Sequence, residues 1–269
     1  MKKVELIKVE HNVKIGQECG AFTPNVTEDC FLTENGKTIG FFIKDINNYS
    51  NKLADYIAIA NKEFNSNNVP KTKMARAGKL RALQMGMSKE EAQKIDVEQM
   101  SCIIGSVPPK ALMMREYPTR SSVHNEPKAK TFVKAMLLAC KEAESIIKDL
   151  TPEIYNEQIK LIEENVPKKW RFGKLFTSSI SNYNISAPFH RDAGNVQGCV
   201  NVIITKKQNA KGGNLHVPDY NATFDSCDNS MLVYPAWKNV HGVTPIEPTF
   251  EGGYRNSLVF YPLKAFKNF

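Results

Sequence analysis

The chain has 269 residues, of which 36 are basic and 28 acidic, and its formal net charge is +8. This length allows one large domain or a core with a substantial appendage, and either buries enough apolar surface to be stable without disulfides. The six cysteines form no C-x-x-C pair and follow no regular spacing. The pattern argues against a zinc knuckle and a secreted disulfide framework, and it predicts reduced, mostly buried thiols.

Targeting signals and charge set only broad limits. Residues 1–10 alternate charged and apolar side chains, and no segment approaches transmembrane length. We therefore expect an intracellular protein with no signal peptide and no membrane span. The basic balance fits an anionic polymer as partner, but lysine-rich proteins that never bind nucleic acid are often as basic. Charge alone leaves both interpretations open, and the sequence does not predict the oligomeric state.

The N-terminal part of the chain contains both strand and helix patterns. Alternating apolar residues predict strands at residues 4–9 and 37–43, and apolar residues at helical spacing predict a helix over residues 52–64. Residues 71–87 are strongly basic, which suits either a solvated helix face or contact with a phosphate backbone. A capping box at residues 88–91 predicts the start of a short helix.

The middle of the chain predicts a buried strand and two helices. Residues 101–107 have the composition of a strand, and the polar loop at 115–124 carries two arginines that suit either a ligand contact or solvent exposure. An apolar stripe predicts a helix over residues 127–150. A second helix should follow, with Thr151 as its cap and Pro152 at its first position.

Beyond Gly173 the pattern changes to short strands separated by turns, which is typical of a sandwich or barrel. The run of basic and aromatic residues at 168–174 lies at this change and suits either nucleic-acid contact or the core. The predicted strands are residues 175–185, 199–205, 214–218, 231–234, 240–245 and 255–261.

The motif His190-Arg191-Asp192 is the first candidate for chemistry. Side chains two apart in a strand point to the same face, so this motif would place an imidazole beside a carboxylate. His241, in a later strand-like run, would supply a third ligand. Two histidines and one carboxylate form the facial triad that leaves open positions on non-haem Fe(II). His216, which follows a double glycine, is the competing histidine.

A second pair of residues indicates an anionic co-substrate. Arg255 and Ser257 lie two apart in a predicted strand and therefore share a face. A guanidinium and a hydroxyl on one face suit a carboxylate, which the planar guanidinium binds through a forked pair of hydrogen bonds. The alternative role for Arg255 is a structural ion pair.

The order of these motifs, H-x-D, then a distal His, then R-x-S, resembles the Fe(II)/2-oxoglutarate-dependent dioxygenases. The H-R-D motif followed by Asn195 resembles more narrowly the TET and J-binding-protein branch, which oxidises the 5-methyl group of pyrimidine bases in DNA. The resemblance covers residues 177–263, with a fainter likeness at 125–166. It implies O2 and 2-oxoglutarate as co-substrates, and Fe(II) held by His190, Asp192 and His241.

The resemblance also implies the fold. We expect an α+β protein in which a double-stranded β-helix, a jelly-roll core at residues 126–269, is backed by helices. Residues 1–125 would form an N-terminal α+β elaboration, which either stands apart or continues the sheet of the core. By the same resemblance Arg255 and Ser257 would bind the far carboxylate of 2-oxoglutarate. Asn182 and Tyr183, on the first core strand, would reach its other end.

The expected substrate contacts also follow from the resemblance. In the TET and J-binding-protein branch an asparagine three residues after the metal carboxylate contacts the target base, which assigns that role to Asn195; the alternative is a turn residue. Trp237 and Tyr254 flank the expected mouth, where an aromatic ring would stack on a flipped base or belong to the core. Because a stacked base cannot reach a metal inside a barrel, the target must be flipped out or single-stranded.

The sequence thus predicts an Fe(II)/2-oxoglutarate dioxygenase that oxidises the 5-methyl group of 5-methylcytosine or thymine in DNA. It does not choose between the two bases or between DNA and RNA. One alternative keeps the same co-substrates and hydroxylates a small molecule or a protein side chain, whose affinity would depend little on salt. Another is a non-catalytic nucleic-acid binder on the same barrel, which would form no succinate.

Overall fold

The structure, a computed structural model, describes residues 1–73, 86, 88, 90, 99–110 and 114–269. The helix predicted at residues 88–91 and most of the basic segment 71–87 lie outside the described residues. The α-helices are α1 Asn51–Asn65, α2 Lys130–Leu150 and α3 Pro152–Asn165. The strands are β1 Lys2–Glu5, β2 Cys30–Glu34, β3 Lys37–Ile43, β4 Thr72–Lys73, β5 Met100–Val107, β6 Thr119–Arg120, β7 Ser178–Tyr183, β8 Ala187–His190, β9 Asn201–Gln208, β10 Ala210–Gly212, β11 Leu215–Val217, β12 Ala222–Phe224, β13 Met231–Tyr234, β14 His241–Val243, β15 Ile246–Pro248 and β16 Tyr254–Tyr261.

Two sheets form the core of the molecule. The major sheet has the order β1-β2-β3-β13-β9-β16-β7-β5-β4, with β6 paired to β5, and the minor sheet has the order β12-β11-β14-β8. From β7 onwards the chain passes repeatedly between them: β7, β9, β13 and β16 lie in the major sheet, and β8, β11, β12 and β14 in the minor one. This alternation of strands is the double-stranded β-helix, so the predicted jelly-roll core is confirmed.

The helices cover the outer face of the major sheet. Apolar side chains of α1 and α2, among them Phe64, Phe132 and Ile147, share one buried core with Leu258 and Phe260 of β16. The amphipathic patterns predicted for these helices are therefore confirmed, because their apolar stripes face the sheet. At the start of α1 the Ser50 side chain accepts a hydrogen bond from the Leu53 amide at 3.1 Å, which is an N-cap.

The space between the two sheets is filled on one side only. A second core joins Phe42 and Leu232 of the major sheet to Val217 and Phe224 of the minor sheet. Towards β7, β9 and β16 the same space contains a cavity of about 470 Å³. The packed side fixes the separation of the sheets, and the open side leaves room for a ligand.

The N-terminal strands belong to the major sheet. β2 and β3 form a hairpin whose turn residues, Asn35 and Gly36, have positive φ values of 50° and 75°. Such φ values suit the two-residue turns that match the twist of paired strands, and asparagine and glycine adopt them readily. The sequence pattern missed β2, and β1 ends at Glu5 rather than at residue 9. The division at residue 125 stays a prediction.

Other expectations about the chain can be compared directly with the structure. All six cysteines are free, and all but Cys227 are buried, as predicted. Thr151 precedes α3 as expected, but its hydroxyl donates to the Ile147 carbonyl oxygen of α2 at 3.0 Å and does not cap α3. Among the described residues, no helix combines the length and apolar character needed to cross a membrane.

Candidate active site

Three predicted ligands meet at one end of the minor sheet. β8 and β14 are antiparallel neighbours, and their register places His190 directly opposite His241. The two imidazole ring centroids are 4.4 Å apart. One ligand atom from each of His190, Asp192 and His241 lies within 4.8 Å of the others. This cluster could hold a metal ion, and two histidines with one carboxylate suit non-haem Fe(II).

Asp192 reaches this cluster from a turn and not from a strand. β8 ends at His190, so the prediction that both side chains project from one face of a strand is corrected. The Asp192 amide donates to the Ala236 carbonyl oxygen at 3.2 Å, and the Asn195 amide donates to the Asp192 carbonyl oxygen at 2.9 Å. These backbone bonds hold the turn beside the loop that leads to His241.

Backbone carbonyls fix the orientation of both imidazoles. Nδ1 of His190 lies 2.7 Å from the Pro188 carbonyl oxygen, and Nδ1 of His241 lies 3.1 Å from that of Asn239. A carbonyl only accepts, so each Nδ1 carries a proton, and in a neutral imidazole Nε2 then offers its lone pair to a ligand. Burial lowers the pKa of His241 most, the neighbouring His190 lowers it further, and both effects favour the neutral form of His241. Neutral imidazoles with free Nε2 atoms are the form that binds metals.

The cavity beside this cluster has apolar walls and one polar side. β16 sends alternate side chains into it, and the lining includes Arg255 and Ser257. Asn182 of β7 also lines it and lies opposite Ser257 in the strand register. The apolar part of the wall is formed by Ile180, Ile203, Leu215, Val243, Val259 and Leu263. The sheet thus brings Arg255, Ser257 and Asn182 together at the cavity, whereas Tyr183 packs against Phe64 on the helix side.

Arg255 is a buried cation that lines the cavity. Its exposed fraction is 2%, its Nε has no hydrogen-bond partner, and it forms no ion pair with any residue that the structure describes. Burial lowers the pKa of the guanidinium to about 10. Burying an unpaired charge is costly, so an anionic ligand in this cavity would remove a real penalty. The carboxylate of a 2-oxo acid fits this requirement.

Several residues that the sequence placed at the site lie elsewhere. Tyr254 faces the helices, where its hydroxyl accepts a hydrogen bond from Asn61 of α1 at 2.8 Å, because it precedes the inward-facing Arg255 in a strand. Trp237 lines a separate cavity with Glu34 and Lys37. Neither ring borders the cavity of the metal cluster, so we do not place them at the mouth.

The remaining alternatives for the site are also resolved. His216 stacks on Phe22 with ring centroids 3.7 Å apart, and burial lowers its pKa to about 4. It lies outside the three-residue cluster. Arg115 and Arg120, from the loop before α2, donate to backbone carbonyls and do not line the cavity. Phe172, from the basic and aromatic run, belongs to the core.

Sequence reasoning missed three polar side chains that line the cavity: Arg191, Asn201 and Tyr261. Tyr261 could have been found, because it continues the period-two series that begins at Arg255. Arg191 stands inside the H-R-D motif and is exposed at the cavity. Asn201 donates to the second carboxylate oxygen of Asp192 at 2.8 Å. No sequence motif indicates Asn201, because its contact with Asp192 joins the start of β9 to the turn after β8 and depends on the tertiary fold.

A jelly roll with a two-histidine, one-carboxylate cluster beside a buried arginine defines the class of Fe(II)/2-oxoglutarate oxygenases. The chain belongs to the Tet_JBP family, the oxygenase domain of the 2OGFeDO superfamily, whose family model matches residues 110–264. It is therefore an oxygenase of this superfamily, which uses Fe(II) and 2-oxoglutarate. The resemblance noted in the sequence is confirmed.

A solved structure shares this fold. A structure of NgTET1 in complex with 5mC DNA is similar at a TM-score of 0.58 and 14% identity, covering 95% of this chain and 84% of that one. A 2OG-Fe(II) oxygenase family oxidoreductase from Burkholderia pseudomallei has 17% identity and a TM-score of 0.41, covering 80% and 91%. OsALKBH1 has 10% identity and a TM-score of 0.38, covering 83% and 96%. No curated protein sequence matches this chain significantly.

Proposed function

We propose that this protein oxidises the 5-methyl group of a pyrimidine base in DNA, with Fe(II), 2-oxoglutarate and O2. The observation that carries the proposal is the cluster of His190, Asp192 and His241 at a cavity that also holds the unpaired Arg255. Membership of the Tet_JBP family supports the reaction class. The structural likeness to NgTET1, which was solved with 5mC DNA, supports a methylated base as the substrate.

In this proposal the chain binds the metal through the Nε2 atoms of His190 and His241 and a carboxylate oxygen of Asp192. Bound Fe(II), with 2-oxoglutarate and O2, supplies the oxidation of a C–H bond; the products are a hydroxymethyl group, succinate and CO2. Arg255 and Ser257 bind the far carboxylate of 2-oxoglutarate, and Asn182 contacts the same molecule. These contacts would orient the co-substrate beside the methyl group.

The cavity suits a base that has left its stack. Its volume of about 470 Å³ lies within the range of small-molecule sites, and its apolar walls exclude water from the reacting group. A base inside a duplex cannot enter it, so the target is flipped out or single-stranded. Asn195 lines the same cavity, and we assign it the contact with the polar edge of the base.

A basic rim supports a nucleic-acid substrate. We define this rim as the exposed residues Arg191 and Lys264. Their two segments are neighbours, because the Lys264 amide donates to the Gly194 carbonyl oxygen at 3.0 Å. Neither side chain forms an ion pair with the residues that the structure describes. Free cations beside the cavity would bind the phosphates that flank a flipped nucleotide.

The test is mass spectrometry of nucleosides after incubation of methylated DNA with the protein, Fe(II), ascorbate and 2-oxoglutarate. We expect 5-hydroxymethyl nucleosides with wild type and none with His241→Ala. DNA affinity should fall steeply with salt, and Arg191→Gln with Lys264→Gln should reduce that salt slope by about two. Oxidation of a small molecule with no modified nucleoside from any DNA or RNA would overturn the proposal.

A further inference from the structure

Two buried asparagines connect the candidate metal carboxylate to the cavity wall. The Asn201 amide nitrogen, Nδ2, donates to Asp192 Oδ2 at 2.8 Å, and Asn195 Nδ2 donates to Asn201 Oδ1 at 2.8 Å. The exposed fractions of Asn201 and Asn195 are 1% and 2%. The Asn195 backbone amide returns to the Asp192 carbonyl oxygen at 2.9 Å. The three residues therefore form a closed ring of hydrogen bonds.

The chemistry of the carboxylate sets the direction of this ring. An ionised carboxylate only accepts, so Asn201 must present its NH2 group to Asp192. The carbonyl oxygen of Asn201 then faces Asn195, which must donate in turn. The carboxylate of Asp192 thus sets the orientation of both side-chain amides. In that orientation neither amide has to flip to form its hydrogen bond.

Asn201 is a polar residue in a mainly apolar part of the cavity wall. Asn201 is the first residue of β9 and lines the cavity together with apolar side chains such as Ile203 and Val259. An apolar residue would complete such a wall at lower cost, since a buried amide must be hydrogen-bonded. The partners that Asn201 has are Asp192 and Asn195.

We propose that Asn201, braced by Asn195, is a positioning residue for the metal carboxylate. By occupying Oδ2 it leaves Oδ1 of Asp192 to face the histidines, where it lies 3.7 Å from His190 Nε2. This inference rests on the proposed metal site. Asn195, to which we assign the base contact, is linked to the metal ligand Asp192 through two hydrogen bonds. Displacement of Asn195 or Asn201 should therefore disturb both metal binding and base binding.

The experiment compares Asn201→Leu with the matched control Asn256→Leu. Asn256 is also a buried asparagine, on the neighbouring strand β16, but its amide donates to Asn61 of α1 on the helix side. Co(II) titration followed by absorption spectroscopy reports affinity and geometry of the metal directly. We expect Asn201→Leu to weaken Co(II) by about 10–100-fold and to change its spectrum, as loss of an outer hydrogen bond to a ligand does.

The controls separate this inference from the metal site itself. Asn256→Leu should lower the melting temperature and leave Co(II) affinity and spectrum unchanged. If His241→Ala binds Co(II) like wild type, the metal site is wrong. If His241→Ala loses Co(II) and folded Asn201→Leu keeps the wild-type affinity and spectrum, only the positioning role is wrong. Should Asn201→Leu not fold, Asn195→Ala replaces it: a weakened Co(II) complex supports the ring, and an unchanged spectrum overturns it.

Discussion

The two faces of β16 have different tasks. Leu258 and Phe260 point to α1 and α2 and belong to the main core. Arg255 and Ser257 point to the cavity, because successive residues of a strand face opposite sides of the sheet. One strand of eight residues therefore serves both the packing of the fold and the candidate site.

The polar groups on these two faces differ in their hydrogen bonds. On the helix side Asn256 donates to Asn61 at 3.0 Å, and Asn61 donates to the Tyr254 hydroxyl at 2.8 Å. On the cavity side the Nε of Arg255 has no hydrogen-bond partner in the part of the chain that the structure describes. The helix face gains stability from these contacts, although the Oδ1 of Asn256 also has no hydrogen-bond partner among the described residues. The unpaired group on the cavity face differs in being a charged donor that lines a cavity large enough for a ligand. Substitutions on the helix face should therefore lower the free energy of unfolding, and substitutions on the cavity face should weaken ligand binding.

The largest effect is expected for the metal ligands. His190→Ala, Asp192→Ala or His241→Ala should reduce turnover to background, because each removes one of three protein bonds to iron, while the circular dichroism spectrum stays that of wild type. His216→Ala is the matched control, since His216 is buried in the minor sheet but lies outside the cluster. Full activity in metal-replete His241→Ala would refute the assignment.

A change on the helix face should act on stability instead. Phe260 is fully buried against Phe172 and Phe176, so Phe260→Ala should lower the free energy of unfolding by about 3–5 kcal/mol. Below its melting temperature the variant should bind 2-oxoglutarate with wild-type affinity. Denaturant titration and calorimetry measure the two quantities, and weaker binding in the folded variant would show that the faces are not independent.

On the cavity face Arg255→Lys should weaken 2-oxoglutarate by about 1.5–3 kcal/mol, the range for hydrogen bonds to charged groups. Lysine keeps the charge but loses the planar fork that pairs with a carboxylate. DNA affinity should change much less. Arg171→Lys, at an arginine away from the cavity that donates to the Val166 carbonyl oxygen, is the control. If DNA affinity fell while 2-oxoglutarate affinity held, Arg255 would be a phosphate contact.

The smallest effect is expected for Asn195→Ala. Base oxidation should fall by about 1–3 kcal/mol in its activation free energy, the penalty for a polar partner left unpaired in a closed site. The affinity for 2-oxoglutarate should change little, and some succinate should form without product. Succinate and hydroxylated nucleoside are measured in the same reaction at saturating Fe(II), because loss of the hydrogen bond to Asn201 should also weaken metal binding. Equal loss of both would mean that Asn195 only holds the turn.

Much of this arrangement follows from local patterns in the sequence. The period of two in β16 places Arg255 and Ser257 on one face, and the spacing of helices α1 and α2 was visible as apolar stripes. Tyr254 was expected at the mouth or in the core, and it faces the helices because successive residues of a strand point to opposite sides of the sheet. The role of Asn201 could not be predicted, since its contact with Asp192 joins a strand to a turn across the fold.

The cavity face of β16 should bind Fe(II)-bound 2-oxoglutarate together with the three metal ligands. Anaerobic titration of Fe(II) and 2-oxoglutarate, followed through the charge-transfer absorption of their complex, tests it directly. Wild type should develop the band at one equivalent of each, His241→Ala should show none, and Arg255→Lys should require more 2-oxoglutarate. A band of wild-type intensity and affinity in both variants would contradict the account.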